Sequence, residues 1–137
     1  MADLRLVNFL MLNPSTADAF VLDPTNRRCV GFAREWGYDG LVTTNVFAHR
    51  STSPSVLRRI EDPVGPANDE TILRAARSSS LVIAAWGVHA TLGGRDRVVR
   101  ESLEREGIAL HALRRTRDGH PGHPLYVPAA TRPMRWP

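Results

Sequence analysis

Apolar residues fall in short runs along the chain, separated by polar segments rich in proline and glycine, and two periods alternate among the runs. Leu6 to Leu12 is almost continuously apolar, interrupted by Asn8 and halted by Asn13-Pro14-Ser15-Thr16, the pattern of a buried strand running into a loop. From Asn26 to Trp36 the period changes. Cys29, Val30, Phe32, Ala33 and Trp36 share one helical face, Arg27, Arg28, Arg34 and Glu35 share the other, and Gly37 and Gly40 close the helix. Leu41 to Phe47 is apolar and β-branched, a second strand that runs into the polar stretch His49 to Pro54. A short helical turn over Val56 to Ile60 and the irregular Asp62-Pro63-Val64-Gly65-Pro66 follow, and Asn68-Asp69 then reads as the cap of a helix over Glu70 to Arg77. Leu81 to Gly87 predicts a third strand. Gly93-Gly94 leads into an amphipathic helix, Arg95 to Glu106, with Val98, Val99 and Leu103 inward, and Ile108 to Leu113 predicts a fourth strand. The loop Asp118 to Pro124, the apolar piece Leu125-Tyr126-Val127 and an irregular tail from about residue 128 complete the pattern.

This alternation of strands and helices predicts one domain over residues 1–137, a three-layer α/β/α arrangement around a mainly parallel four-stranded sheet. In such sheets ligands bind beyond the carboxyl ends of the strands. Four segments then share one rim: Asn13 to Thr16, Asn45 to Thr52, Trp86 to His89 and Gly119 to Pro124.

Charge and composition sharpen this only in part. All 18 basic residues are arginine, against 14 acidic ones, a net +4 that favours an anionic partner because guanidinium binds phosphate through two parallel bonds. A GC-rich genome accounts for arginine without lysine equally well. Cys29, the single cysteine, excludes an internal disulfide and fits a reducing, cytoplasmic compartment. The apolar start from Leu4 to Leu12 lacks basic flanks and is cut by Asn8 and Pro14, so it reads as a strand and not as a targeting signal. No stretch approaches the roughly 18 apolar residues of a membrane span.

The rim carries the candidate chemistry. Asn13, Ser15 and Thr16 offer an amide and two hydroxyls that could hold a water or a phosphate, or else cap a turn. His120 and His123 each precede a proline, which restricts the backbone and helps fix an imidazole. Asp18 and Asp23 are candidates for positioning an attacking water, and Asp23 before Pro24-Thr25 is equally a helix cap. Arg50 either clamps a phosphate or is a solvated charge, and Trp86, followed by Gly87, either stacks on a base or seals the core edge. His-Pro-Gly-His is not a metal-ligand spacing and no third ligand stands beside it, so neither a metal nor a cofactor is expected. Serine hydrolysis lacks a Gly-x-Ser-x-Gly turn, and Gly93-Gly94 lacks the spacing of a nucleotide loop.

Met11-Leu12-Asn13-Pro14-Ser15-Thr16-Ala17-Asp18-Ala19, Asp23-Pro24-Thr25, Trp36-Gly37-Tyr38, Asn45-Val46-Phe47-Ala48, Asp62 to Pro66 with Asn68-Asp69, Ala85-Trp86-Gly87 and His123-Pro124-Leu125-Tyr126 together resemble the DUF1643 family, over nearly the whole chain. More distantly, the order of loops resembles the uracil-DNA glycosylase superfamily, above all its mismatch-specific branch. Asn13-Pro14-Ser15 fits its first motif, Asn45 to Pro54 its second, Trp86-Gly87 its third and His123-Pro124 its last. Where that last motif ordinarily continues His-Pro-Ser, this chain reads His123-Pro124-Leu125-Tyr126.

The resemblance implies a uracil-DNA glycosylase-like fold and an N-glycosidase acting on a modified, mismatched or damaged base in nucleic acid, DNA before RNA. Asn13 would align a water at the sugar carbon and His123 would stabilise the departing base. Ser15, Thr16, Asn45, Arg50, Trp86, Gly87 and His120 would meet the base or its backbone. The alternatives are the same bond cleaved in free nucleosides or nucleotides, and a non-catalytic nucleic-acid or nucleotide-binding module.

Overall fold

The structure is a computed structural model that describes residues 4–14, 23–50 and 54–136. Among these residues, strands β1 (Leu6–Met11), β2 (Gly40–Asn45), β3 (Leu81–Ala84), β4 (Leu110–Ala112) and β5 (Met134–Arg135) form one sheet in the order β2-β1-β3-β4-β5. The first four are parallel and β5 runs antiparallel to β4. Helices α1 (Pro24–Glu35), α2 (Pro54–Leu57), α3 (Asn68–Arg77) and α4 (Arg95–Arg105) connect them.

Alternation along the strands divides the core between the two faces of the sheet. Val7, Phe9 and Met11 of β1 and Ile83 and Ala85 along β3 pack with Cys29, Phe32 and Ala33 of α1. On the opposite face Leu10, Val82, Ala84, Leu110 and Ala112 pack with Ile72 and Ala76 of α3 and with Val99 and Leu103 of α4. Each large side chain fully buried here contributes roughly 1.5–3 kcal/mol. Asn8 is buried within the otherwise apolar β1, where its Nδ2 donates to the Val42 carbonyl at 3.0 Å and to Thr44 Oγ1 at 3.1 Å. A polar residue inside an apolar run thus ties β1 to β2.

Four expectations change. The sheet has five strands, not four, and the segment from about 128 is not irregular throughout, because it returns to the sheet as β5. Side chains capture its carbonyls on the way: Arg28 donates to Val127 O at 2.9 Å and Trp36 Nε1 to Thr131 O at 3.1 Å. A two-residue strand held by such long-range bonds has no local signature. Val98 is not inward but 49 % exposed, since the buried stripe of α4 runs through Arg95, Val99 and Leu103. Asn68 does not cap α3. It is the first helical residue, and its side chain donates across to β2 instead.

The strand order fixes where a ligand belongs. From β1 the chain steps to β2 on one side, and from β3 to β4 on the other, so β1 and β3 flank the point where the direction of winding reverses. Loops leaving these two strands diverge to opposite faces and leave a crevice at the carboxyl end.

Candidate functional site

Asn13 lies two residues beyond β1, at this crevice, and is half-buried. β1 and β2 stay zipped past their ends, with Val46 N–H donating to Met11 O and Phe47 N–H to Leu12 O, both at 2.9 Å. The Asn13 amide continues the connection, its Nδ2 donating to His49 O at 3.2 Å and to Pro14 O at 3.3 Å. Its orientation is therefore set by main-chain acceptors, one in its own loop and one at the β2 exit.

Asp23 ends the connection from β1 to α1. Its Oδ1 accepts from Asn26 N–H at 2.7 Å, capping the helix, and Pro24 occupies the first helical turn, where its missing N–H costs nothing. Beyond the cap, its charge reaches inward: burial pushes the Cys29 thiol up to about 12, and the Asp23 carboxylate adds to the effect. Cys29 is a packing residue, kept as a thiol.

His123 stands on the same side. It precedes a single 3-10 turn (Pro124–Tyr126) that packs against α1, and its imidazole lies 5.5 Å from the Tyr126 ring, centroid to centroid. The Nδ1 atom accepts the Leu125 N–H at 3.2 Å. A nitrogen that accepts cannot carry the proton, so the neutral ring is protonated at Nε2. Burial lowers the His123 pKa below the usual histidine value, partly opposed by the Asp23 carboxylate. At neutral pH the residue is then an uncharged imidazole presenting an Nε2–H donor, with a carboxylate close enough to be felt.

The third strand contributes backbone only. Gly87 adopts φ +71°, a conformation that side-chain-bearing residues rarely take, and its N–H donates to Pro121 O at 2.9 Å. This bond pins the hairpin over 114–122 across the end of β3. Within the hairpin, His120 N–H donates to Thr116 Oγ1 and Thr116 N–H to His120 O, so His120 is a turn residue of the structure bordering the crevice. Trp86 is withdrawn from the rim. It is 2 % exposed and packs edge-on against Trp136, so in this conformation the ring seals the core and offers no face to a base.

On the β2 side, Asn45 presents its carbonyl to Asn68 Nδ2 at 2.7 Å, and Arg50 is exposed at the strand's exit. Ser15, Thr16 and Asp18 lie outside the described residues. The structure therefore brings Asp23 and His123 together, joins Asn13 to the β2 exit, and turns Trp86 into the core.

Two positioning residues emerge that their sequence context does not single out. Asn68, read above as a cap, grips the end of β2. Arg95, the first residue of α4, is 6 % exposed, with Nε donating to Val46 O at 2.7 Å and its guanidinium paired to Asp69. Only proximity in the fold reveals them, although the Asn-Asp pair that opens α3 was a visible signal.

A groove of about 490 Å³ opens beside His123, between α1 and the segment after β4, lined by Pro24, Arg27, Arg28, Phe32, Leu125 and Ala129 among others. Its floor is apolar and two arginines lie on its helical wall. Among the described residues no three His, Cys, Asp or Glu side chains gather as a metal-binding group, and no helix is long and apolar enough to cross a membrane.

Neither a curated protein nor a solved structure matches this chain. The family model described as "Protein of unknown function (DUF1643)" matches residues 2–125, and the chain belongs to that family.

Proposed function

We propose that this protein is an N-glycosidase-like enzyme that releases a modified, mismatched or damaged base from nucleic acid, with a uracil-DNA glycosylase-like arrangement of its loops. The observation that supports it is the state of His123: neutral, protonated at Nε2, and set beside Asp23 at the carboxyl rim. Cleaving an N-glycosidic bond leaves the electron pair on the base and positive charge on the sugar. An Nε2–H donor aimed at the base meets the first charge, and the Asp23 carboxylate favours the second. Asn13 aligns a water that bonds to the sugar carbon, and the proton of that water neutralises the departed base. The base must leave its stack to enter, at a cost of a few kcal/mol that is least for a mismatched or damaged one.

The test is a panel of single- and double-stranded oligonucleotides carrying varied bases, incubated with the protein and treated with hot alkali. Strand breaks at one base with wild type, lost in N13A and H123A, are the expected result. No breaks with any base, or undiminished breaks with both variants, would overturn the proposal.

The groove beside α1 favours a second reading, the same bond cleaved in a free nucleotide. Its volume falls within the range of roughly 300–1,000 Å³ usual for small-molecule sites, and Arg27 and Arg28 suit a phosphate over an apolar floor. Chromatographic detection of free base released from mononucleotides, with oligonucleotides left intact, distinguishes it.

A further inference from the structure

The charge of this chain is unevenly placed. Residues 1–113 hold 13 arginines and 13 acidic residues, whereas residues 114–137 hold five arginines and a single acid, Asp118. The whole net charge of +4 thus belongs to the last fifth or so of the sequence. Those five side chains, Arg114, Arg115, Arg117, Arg132 and Arg135, are all exposed. The salt bridges among the described residues fall between Asp69 and Glu106, and none engages any of the five.

The fold draws them to one edge. β5 pairs Arg135 with His111 and Met134 with Ala112, which puts Arg135 on the edge strand, Arg132 two residues before it and Arg114 two residues beyond β4. Trp136 Nε1 donates to Gly119 O at 3.2 Å, which stitches this strand to the tip of the hairpin carrying Arg115 and Arg117. Gly87 in turn bonds that hairpin to the end of β3, so the basic edge borders the crevice that holds the proposed site.

We infer that this edge, the hairpin over 114–122 together with the β5 segment, binds the phosphate backbone of a nucleic-acid strand and holds it across the crevice; the inference rests on the reading that the substrate is nucleic acid. Unneutralised guanidinium groups along one edge are suited to a chain of phosphates, to which each offers a pair of parallel donors. Neutralising a phosphate releases counterions, so affinity falls with salt at a slope of about 0.9 per contact for duplex and about 0.7 for single strands.

The experiment measures the affinity of the full chain for a fluorescent oligonucleotide of ordinary bases across a salt series, with no base release required. The N13A variant should keep the wild-type slope, which separates failure of this inference from failure of the chemistry. R114Q/R115Q/R117Q should flatten the slope by about two to three, one contact per residue removed. R34Q/R97Q/R105Q removes the same charge from exposed positions on α1 and α4 and should leave the slope unchanged. Thermal melting checks the fold of each, and R117Q alone, with a loss of about one unit or less, serves if the triple variant does not fold. Equal flattening by both triple variants, an unchanged slope in the hairpin variants, or tighter binding to a polyglutamate peptide of equal charge would overturn the inference, the last by assigning the edge to an acidic protein.

Discussion

Asn68 and Arg95 converge on one oxygen: Asn68 Nδ2 donates to the Val46 carbonyl at 3.2 Å and Arg95 Nε to the same carbonyl at 2.7 Å. The first residues of α3 and α4 thereby clamp the exit of β2, the segment against which Asn13 is oriented. Both side chains are buried, so each deletion leaves polar atoms without a partner.

N68A is expected to destabilise the fold by about 1–3 kcal/mol, since the Asn45 and Val46 carbonyls both lose a donor. Because the two side chains share an acceptor, N68A and R95A should couple in a double-mutant cycle by about 0.5–3 kcal/mol. Urea unfolding of the four proteins measures this, and strict additivity would refute the shared clamp.

Replacing His123 with alanine should lower base release by about 10²–10³-fold, the usual effect of removing one donor to developing negative charge. The loss should appear in kcat more than in KM, because the charge develops only as the bond breaks. Single-turnover kinetics on the best base of the oligonucleotide panel decides the point.

The two histidines with lowered pKa values set a direction for acid stability. Burial lowers His111, with Arg135 adding to it, and burial lowers His123 against a partial pull from Asp23. The unfolded chain then binds protons that the native chain refuses once pH falls below about 6.5, so stability present above that pH is lost on acidification. Melting temperatures between pH 8 and pH 5 should fall toward the acid side, and less steeply in H111Q/H123Q than in wild type. Activity should follow the same direction, holding at neutral pH and falling as His123 takes up its second proton.

Trp136 carries more than its place just after a two-residue strand suggests. It packs edge-on against Trp86, bonds Gly119 O, and lies under Arg100, whose guanidinium carbon is 4.1 Å from the ring centroid. W136A should cost about 3–5 kcal/mol and disorder the hairpin tip. Amide exchange, faster at residues 115–121 than in α1, would show it, and uniform exchange throughout would argue against a local anchor.

How much of this was legible in the sequence follows from the range of each interaction. The apolar run of β1 and the helical stripe of α1 are written in neighbouring residues, so their places could be read directly, whereas Asp23 stood equally as a cap and as a carboxylate for a water. Asp23 and His123 were both visible as candidates, but their proximity was not, because 100 residues separate them and only packing of the Pro124–Tyr126 turn on α1 joins them. Trp86 shows the reverse: its position at a strand end left a base platform and a core seal both open, and the partner that buries it, Trp136, lies fifty residues on. β5 escaped because two residues make no period.

The short antiparallel strand has one more effect. A parallel sheet ending at β4 would leave a row of unpaired main-chain donors and acceptors open to a strand from another molecule. Met134 and Arg135 occupy that ladder, and the arginines flanking it would repel a second copy approaching edge to edge. The same few residues that position a hairpin therefore also blunt this edge of the sheet against a strand from a second copy.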